Sequence, residues 1–214
     1  LANNNGDGNS DAIQDNIQPN VASLEDVNNN FVTIEAMLPG QNIEYSSLLD
    51  TDNLFRRYFF ASNPPPIDGF NFPSGFFQFS VSNVTPGGMA EVRFTLPDGA
   101  VADTYKLLGP DTGIPSWHWH DFTYNGVTGA VVNMNNSSEI TLFVQDGGSG
   151  DNDRVANGVV YLIGAPAEAI TISNSTGGGG CSLQTTESAA LKAGAWWLLF
   201  GLLALYRPLR QFMH

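Results

Sequence analysis

Five short runs in this chain alternate apolar and polar residues with a period of two. Val32, Ile34 and Ala36 share one face of FVTIEAM, and Phe77, Phe79 and Val81 one face of FFQFSVS. Val92, Phe94 and Leu96 do the same in EVRFTL, Ile140, Leu142 and Val144 in ITLFV, and Val160 and Leu162 in GVVYLIG. A strand turns successive side chains to opposite faces, so each run buries one face and wets the other. That pattern belongs to antiparallel sheet. Turn signals separate the runs: Pro86-Gly87-Gly88, Pro97-Asp98-Gly99, Asn125-Gly126, Asp146-Gly147-Gly148 and Asn157-Gly158. Each supplies a residue that tolerates positive φ. The pattern predicts an all-β body over residues 18–172, an antiparallel β-sandwich of Ig-like or jelly-roll-like type.

Charge narrows what the body can bind. The chain has 214 residues, 21 acidic against 8 basic, and a net charge of −13. A nucleic-acid partner requires clustered Lys and Arg. Here Arg56, Arg57, Arg93, Lys106 and Arg154 are scattered through the first 188 residues, which hold every acidic residue, so nucleic acid is excluded. Lys192, Arg207 and Arg210 fall in the tail. The single cysteine, Cys181, can form neither an internal disulfide nor a cysteine zinc cage.

The tail has three parts. Residues 173–188 are small and polar, with Gly177, Gly178, Gly179 and Gly180 ahead of Cys181. Residues 189–206 are apolar but for Lys192, which can snorkel. As a helix they span about 27 Å, enough for the hydrocarbon core of a bilayer. Trp196, Trp197 and Tyr206 suit the interfaces, and Arg207 and Arg210 in the basic end, 207–214, set the topology with the body outside. This order resembles the C-terminal sorting signals of bacterial surface proteins, most closely the Cys-containing JDVT-CTERM and MYXO-CTERM kinds. The resemblance implies a membrane-bound sorting enzyme or intramembrane protease acting near Cys181, and export to the cell envelope with a single-pass anchor.

The body carries a second resemblance. NVASL at 20–24, FVTIE at 31–35, VSNVTPGG at 81–88, FTLP at 94–97, the HWHDF segment at 118–122 and above all DGGSGDNDRVANGV at 146–159 resemble the choice-of-anchor U domain. That family is a bacterial extracellular β domain placed upstream of several anchoring signals. Membership implies secretion and anchoring, further domains upstream in the same polypeptide, and no known catalysis.

Three segments are candidates for chemistry. NNNGDGNSDAIQD at 3–15 resembles the calcium loops of thrombospondin type 3 and dockerin repeats. Counted from Asn3, side-chain oxygens come from Asn3, Asn5, Asp7 and Asp11, Gly8 makes the turn, and Asn9 offers its carbonyl. The plainer reading of residues 1–17 is a polar linker. Asp146, Asp151, Asn152 and Asp153 form a second acidic loop, either a calcium site or a turn whose side chains cap backbone N–H groups. In WHWH at 117–120 the two histidines share one strand face and the two tryptophans the other. The expectation is Trp117 and Trp119 in the core, with His118 and His120 on a solvated face. Phe70, Phe72, Phe76 and Phe77 are expected to plug one end of the core, or else to offer a carbohydrate-binding face. No GxSxG and no cysteine near a histidine point to hydrolysis. The expectation is a non-enzymatic anchored surface module, with a calcium-dependent adhesin or carbohydrate-binding module, bound to a surface glycan or protein ligand, as the alternative.

Overall fold

A computed structural model describes residues 6–49, 67, 69–111, 113–136 and 138–170. They lie in the first of two units, Leu1–Ile172; the second, Ser173–His214, falls outside the described residues. The described chain is all-β apart from one 3₁₀ turn at Asp15–Ile17.

The strands form two antiparallel sheets. One holds β1 (Val21–Glu25), β2 (Phe31–Ala36), β6 (Met89–Thr95), β10 (Glu139–Gln145) and β9 (Gly129–Val132), in that spatial order. The other holds β3 (Asn42–Leu49), β5 (Phe76–Ser82), β11 (Val160–Ala169), β7 (Thr104–Asp111) and β8 (Ile114–Asp121). The short β4 (Phe70–Asn71) pairs with the far end of β11.

The sheets share one apolar cluster, which makes the body sandwich-like. Val32, Ile34, Val92, Phe94, Ile140, Leu142 and Val144 face Phe77, Phe79, Tyr105, Leu107, Val160 and Leu162, all fully buried. Two of the five alternating runs, β6 and β10, keep strict alternation of burial; in β2 and β5 the polar positions Thr33 and Gln78 are buried too, and β11 is buried on both faces along most of its length because it is central to its sheet. Phe94 sits at the middle, with ring centroids 5.1 Å from Phe77 and 5.9 Å from Tyr105. All five predicted turn signals carry a glycine with positive φ: Gly87, Gly99, Gly126, Gly147 and Gly158.

Gly164 on β11 is required by packing. A Cβ there would lie 2.4 Å from Tyr105 Cε1 and 2.6 Å from the Lys106 carbonyl oxygen. Tyr105 fills the space so created, but its hydroxyl is buried and has no hydrogen-bond partner. Burial drives its ionisation far above the ordinary phenol range. An unpaired buried hydroxyl costs about 1–3 kcal/mol of desolvation. Tyr105→Phe therefore leaves the fold intact and raises its stability by about 1 kcal/mol, read as a higher urea midpoint at unchanged slope. A fall in the midpoint would show that the hydroxyl is satisfied.

Candidate functional site

The acidic loop that joins β10 to β11 is a clasp. Asp146 is 2% exposed and Asp151 1% exposed, unusual burial for carboxylates. Asp146 Oδ2 accepts the N–H of Gly87 at 2.9 Å and of Gly158 at 3.0 Å. Asp151 accepts Gly147 N–H on Oδ2 at 2.8 Å and Tyr161 N–H on Oδ1 at 3.0 Å. Asn152 Nδ2 donates to the Leu108 carbonyl at 3.0 Å, and Arg154 to the Pro110 carbonyl at 2.7 Å. Asp153 Oδ1 accepts the N–H of Val155. The loop thus ties β10, β11, β7 and the β5–β6 corner together. Asp146, Asp151 and Asp153, the candidate calcium ligands of this loop, spend their oxygens on protein donors. Among the described residues no three His, Cys, Asp or Glu side chains stand together as a metal group.

The N-terminal acidic segment is laid on the fold. Gly8 lies so close to β1 and β2 that a Cβ would meet Thr33 Oγ1 at 2.1 Å and Ser23 Oγ at 2.5 Å. Asp15 is buried and accepts the Gly8 N–H on both oxygens, at 3.0 and 3.1 Å. Asn9 Nδ2 reaches Glu35 on β2 at 3.4 Å. The part of the linker that is described, from Gly6 on, is therefore packed against the sandwich.

Its hydrogen bonds also offer a second loop register. Asp7 accepts the N–H of Asp11 at 3.1 Å and of Ala12 at 2.9 Å, and Ala12 holds φ +72°. In a twelve-residue calcium loop the sharp turn with positive φ sits at position 6. Counting back from Ala12 makes Asp7 position 1, Asn9 position 3, Asp11 position 5, Asp15 position 9 and Gln18 position 12. This count begins four residues after the one from Asn3. Asn3 and Asn5 lie outside the described residues. In this count the usual glycine of position 6 is replaced by Ala12. Asn9 Oδ1 and Gln18 Oε1 are shielded from water and accept no hydrogen bond.

The WHWH segment lies on β8, and its faces are the reverse of expectation. His120 is paired with Leu107, a core residue, and Trp119 with Leu108, on the outer face of its sheet. The histidines therefore face the inside of the sandwich at its edge, and the tryptophans face out. Trp117 and Trp119 pack against an outer cluster of Leu108, Ile163, Leu49 and Tyr161. Phe76 and Phe72 join Trp119 there, with centroids 5.0 and 6.0 Å away, while Phe77 enters the main core. The expected core plug is thus one phenylalanine, and the others cover the outer face. Lys106, buried beside them, pairs with Asp121 and lies 3.5 Å from the centre of the Phe70 ring. The imidazoles of His118 and His120 stand 5.1 Å apart, and His118 Nδ1–H donates to the Ser116 carbonyl at 2.8 Å.

Comparison with protein-family models, curated proteins and solved structures matches this chain to none of them. Gly177, Gly178, Gly179, Gly180, Cys181, the 189–206 span, Arg207 and Arg210 lie outside the described residues. Among the described residues no helix is long and apolar enough to cross a membrane.

Two groups of the clasp region titrate away from their usual ranges. Burial, helped by the charges of Asp153 and Asp146, raises Asp151 to about 6 against the pull of its two N–H donors. Burial lowers His120, and the Asp111 charge opposes that. Asp151 binds its proton more tightly folded than unfolded. Its contribution to stability is therefore full below the unfolded carboxylate range and is lost as pH rises through 6. His120 acts in the opposite sense: its contribution is present above the unfolded imidazole range and fades as pH falls through 6.5. Between pH 7 and pH 5 the wild type should gain about 1 kcal/mol more than Asp151→Asn, compared by urea midpoints at both values. Equal changes in the two proteins would disprove the raised carboxyl.

Proposed function

We propose that this chain is a non-catalytic, exported display module of Ig-like or jelly-roll-like type, held at the bacterial cell envelope by its tail. The observation that carries the reading is the order of the tail: Gly177–Gly180, Cys181, an apolar span at 189–206, then Arg207 and Arg210. A glycine run gives an enzyme access to extended backbone, the span holds the substrate in the bilayer, and the basic end fixes its orientation. The membrane and a membrane-bound sorting or intramembrane protease are the partners this implies. The body suits an aqueous exterior, since all of its acidic surplus lies before the span. Its likeness to choice-of-anchor U domains rests on the 146–159 loop, and the work that loop does as a clasp gives a physical reason for its sequence.

The test is the mass of the mature C-terminus, isolated from the cell that makes the protein. The expected result is a chain cleaved or mass-shifted at or near Cys181, with Cys181→Ser reducing envelope retention. An intact Met213–His214 end carrying unmodified Cys181 overturns the proposal.

A second reading, a calcium-dependent adhesin or carbohydrate-binding module, is favoured by one observation. Two water-shielded amide oxygens without partners, on Asn9 and Gln18, fall at ligand positions of the Asp7 register. Positions 3 and 12 are amides, and the three carboxylates, Asp7, Asp11 and Asp15, already accept backbone N–H groups, so the affinity belongs in the weak extracellular range of about 10⁻⁴–10⁻³ M. Isothermal titration of the full chain should give calcium heat that Asp7→Asn/Asp11→Asn abolishes. Absence of heat at millimolar calcium ends this reading, and a glycan array with and without EDTA tests the ligand.

A further inference from the structure

Three Asn–Gly pairs occur in the chain, at 5–6, 125–126 and 157–158. Such a pair can modify itself without an enzyme. The glycine backbone nitrogen attacks the asparagine Cγ, the Cγ–Nδ2 bond breaks, and ammonia leaves with the proton the nitrogen gave up. Water then opens the cyclic imide at one of its two carbonyls. The product is aspartate, or isoaspartate with the main chain running through the side-chain carboxyl. Water is the sole co-reactant. Glycine permits the attack because it has no Cβ to obstruct it. Asn5 lies outside the described residues, but the other two pairs can be compared atom by atom.

At Asn125 the fold sets up the reaction. Asn125 and Gly126 are both exposed, in the turn between β8 and β9. Asn125 Oδ1 accepts two N–H donors, from Val127 and Thr128, each at 3.0 Å. That oxygen gains negative charge when Cγ is attacked, so the two donors polarise the amide and stabilise the tetrahedral intermediate. The leaving nitrogen, Nδ2, has only a 3.4 Å contact with Thr128 Oγ1. Gly126 holds φ +99°, and nothing lies within 4 Å of where its Cβ would be.

Asn157 is exposed as well and Gly158 also holds a positive φ, +86°, but here the attacking and leaving groups are both held. The attacking group, Gly158 N–H, donates to the buried carboxylate Asp146 Oδ2 at 3.0 Å. Attack requires that nitrogen to shed its proton, and an adjacent negative charge opposes this. The leaving amide, Asn157 Nδ2, is held by Asp153 Oδ2 at 3.0 Å, and Oδ1 has one donor, Val159 N–H at 2.8 Å. A Cβ on Gly158 would stand 2.9 Å from the Val84 carbonyl oxygen, so the backbone has little room to rearrange.

We propose that Asn125 is a built-in site of spontaneous deamidation and isoaspartate formation, and that the clasp silences the same dipeptide at Asn157. The modification adds one negative charge, and the isoaspartate form adds one carbon to the main chain inside a turn closed by the 3.0 Å bond from Asn125 N–H to the Thr128 carbonyl. It loosens the entry to β9, which is an edge strand.

The experiment ages the full-length chain at neutral pH, folded and in denaturant, and follows amide-to-acid conversion by mass spectrometry. Trypsin cuts after Lys106, Arg154 and Lys192, which puts Asn125 and Asn157 on different peptides and leaves Asn5 on a third. In the folded chain Asn125 should convert at least about tenfold faster than Asn157, a barrier difference of about 1.4 kcal/mol. In denaturant the two rates should converge. Equal or reversed rates in the folded chain overturn the proposal. So does a tenfold ratio that survives in denaturant, because it would belong to the neighbouring residues and not to the fold.

Discussion

The sandwich closes on two buried carboxylates. A β-sandwich must let its chain switch sheets, and at each switch backbone groups leave the ladder and need new partners. Two switches meet at one end of this molecule: β5 to β6, and β10 to β11. Asp146 joins them directly, since one oxygen accepts N–H groups from both, at Gly87 and Gly158. Asp151 then fixes the loop to the start of β11, and Asn152 and Arg154 carry the connection across to β7. A carboxylate suits this task because it accepts several donors at once and charge strengthens each bond. The price appears in the raised Asp151 carboxyl, whose burial outweighs its two donors.

This explains which parts of the fold can be read in the sequence. The half-buried strands β2, β6 and β10 announce themselves by alternation, as do the glycine turns between them. β7 does not. It is buried on both faces over Tyr105–Gly109, and Lys106 inside that stretch reads as a surface residue until Asp121 and Phe70 are seen beside it. β1, β3 and β9 are edge strands, weak in pattern because only part of each is covered. The 146–159 segment can be recognised as a turn-rich acidic loop. Its choice between ion and backbone is decided by donors at Gly87, Tyr161 and Gly147, of which Gly87 is far away in the chain and Tyr161 lies beyond the segment.

The histidine–tryptophan strand marks the limit of local reasoning. Period-two logic correctly separates His118 and His120 from Trp117 and Trp119, but it cannot say which set faces inward. Size suggests the tryptophans. Register decides otherwise, because β8 pairs with a β7 whose outer face carries Leu108, itself fully buried. The outer face of this sheet is a second apolar layer, and it claims the larger rings. The histidines are left at the inner margin, where burial keeps His120 neutral more readily than in water.

The acidity of the chain then takes on a different meaning. A net charge of −13 suggests a surface built to repel or attract, yet the ion pairs among the described residues are two, Arg93 with Glu35 and Lys106 with Asp121. The aspartates are chiefly at work on the backbone. Asp26 closes the β1–β2 turn through the N–H groups of Asn28 and Asn30, and Asp103 holds the N–H of Ala169. Asp7, Asp11 and Asp15 shape the N-terminal loop, and Asp146, Asp151 and Asp153 shape the clasp. A fold with few helices has many turns, and each turn leaves N–H groups that want an acceptor within a few residues. Short side chains meet that need better than long ones, which accounts for aspartate and asparagine where a helical protein would place glutamate and lysine. These bonds are short-range and partly buried, so salt screens the mutual repulsion of the carboxylates more than it weakens their hold on the backbone. The excess negative charge is thus largely a by-product of how a loop-rich sandwich satisfies its own main chain.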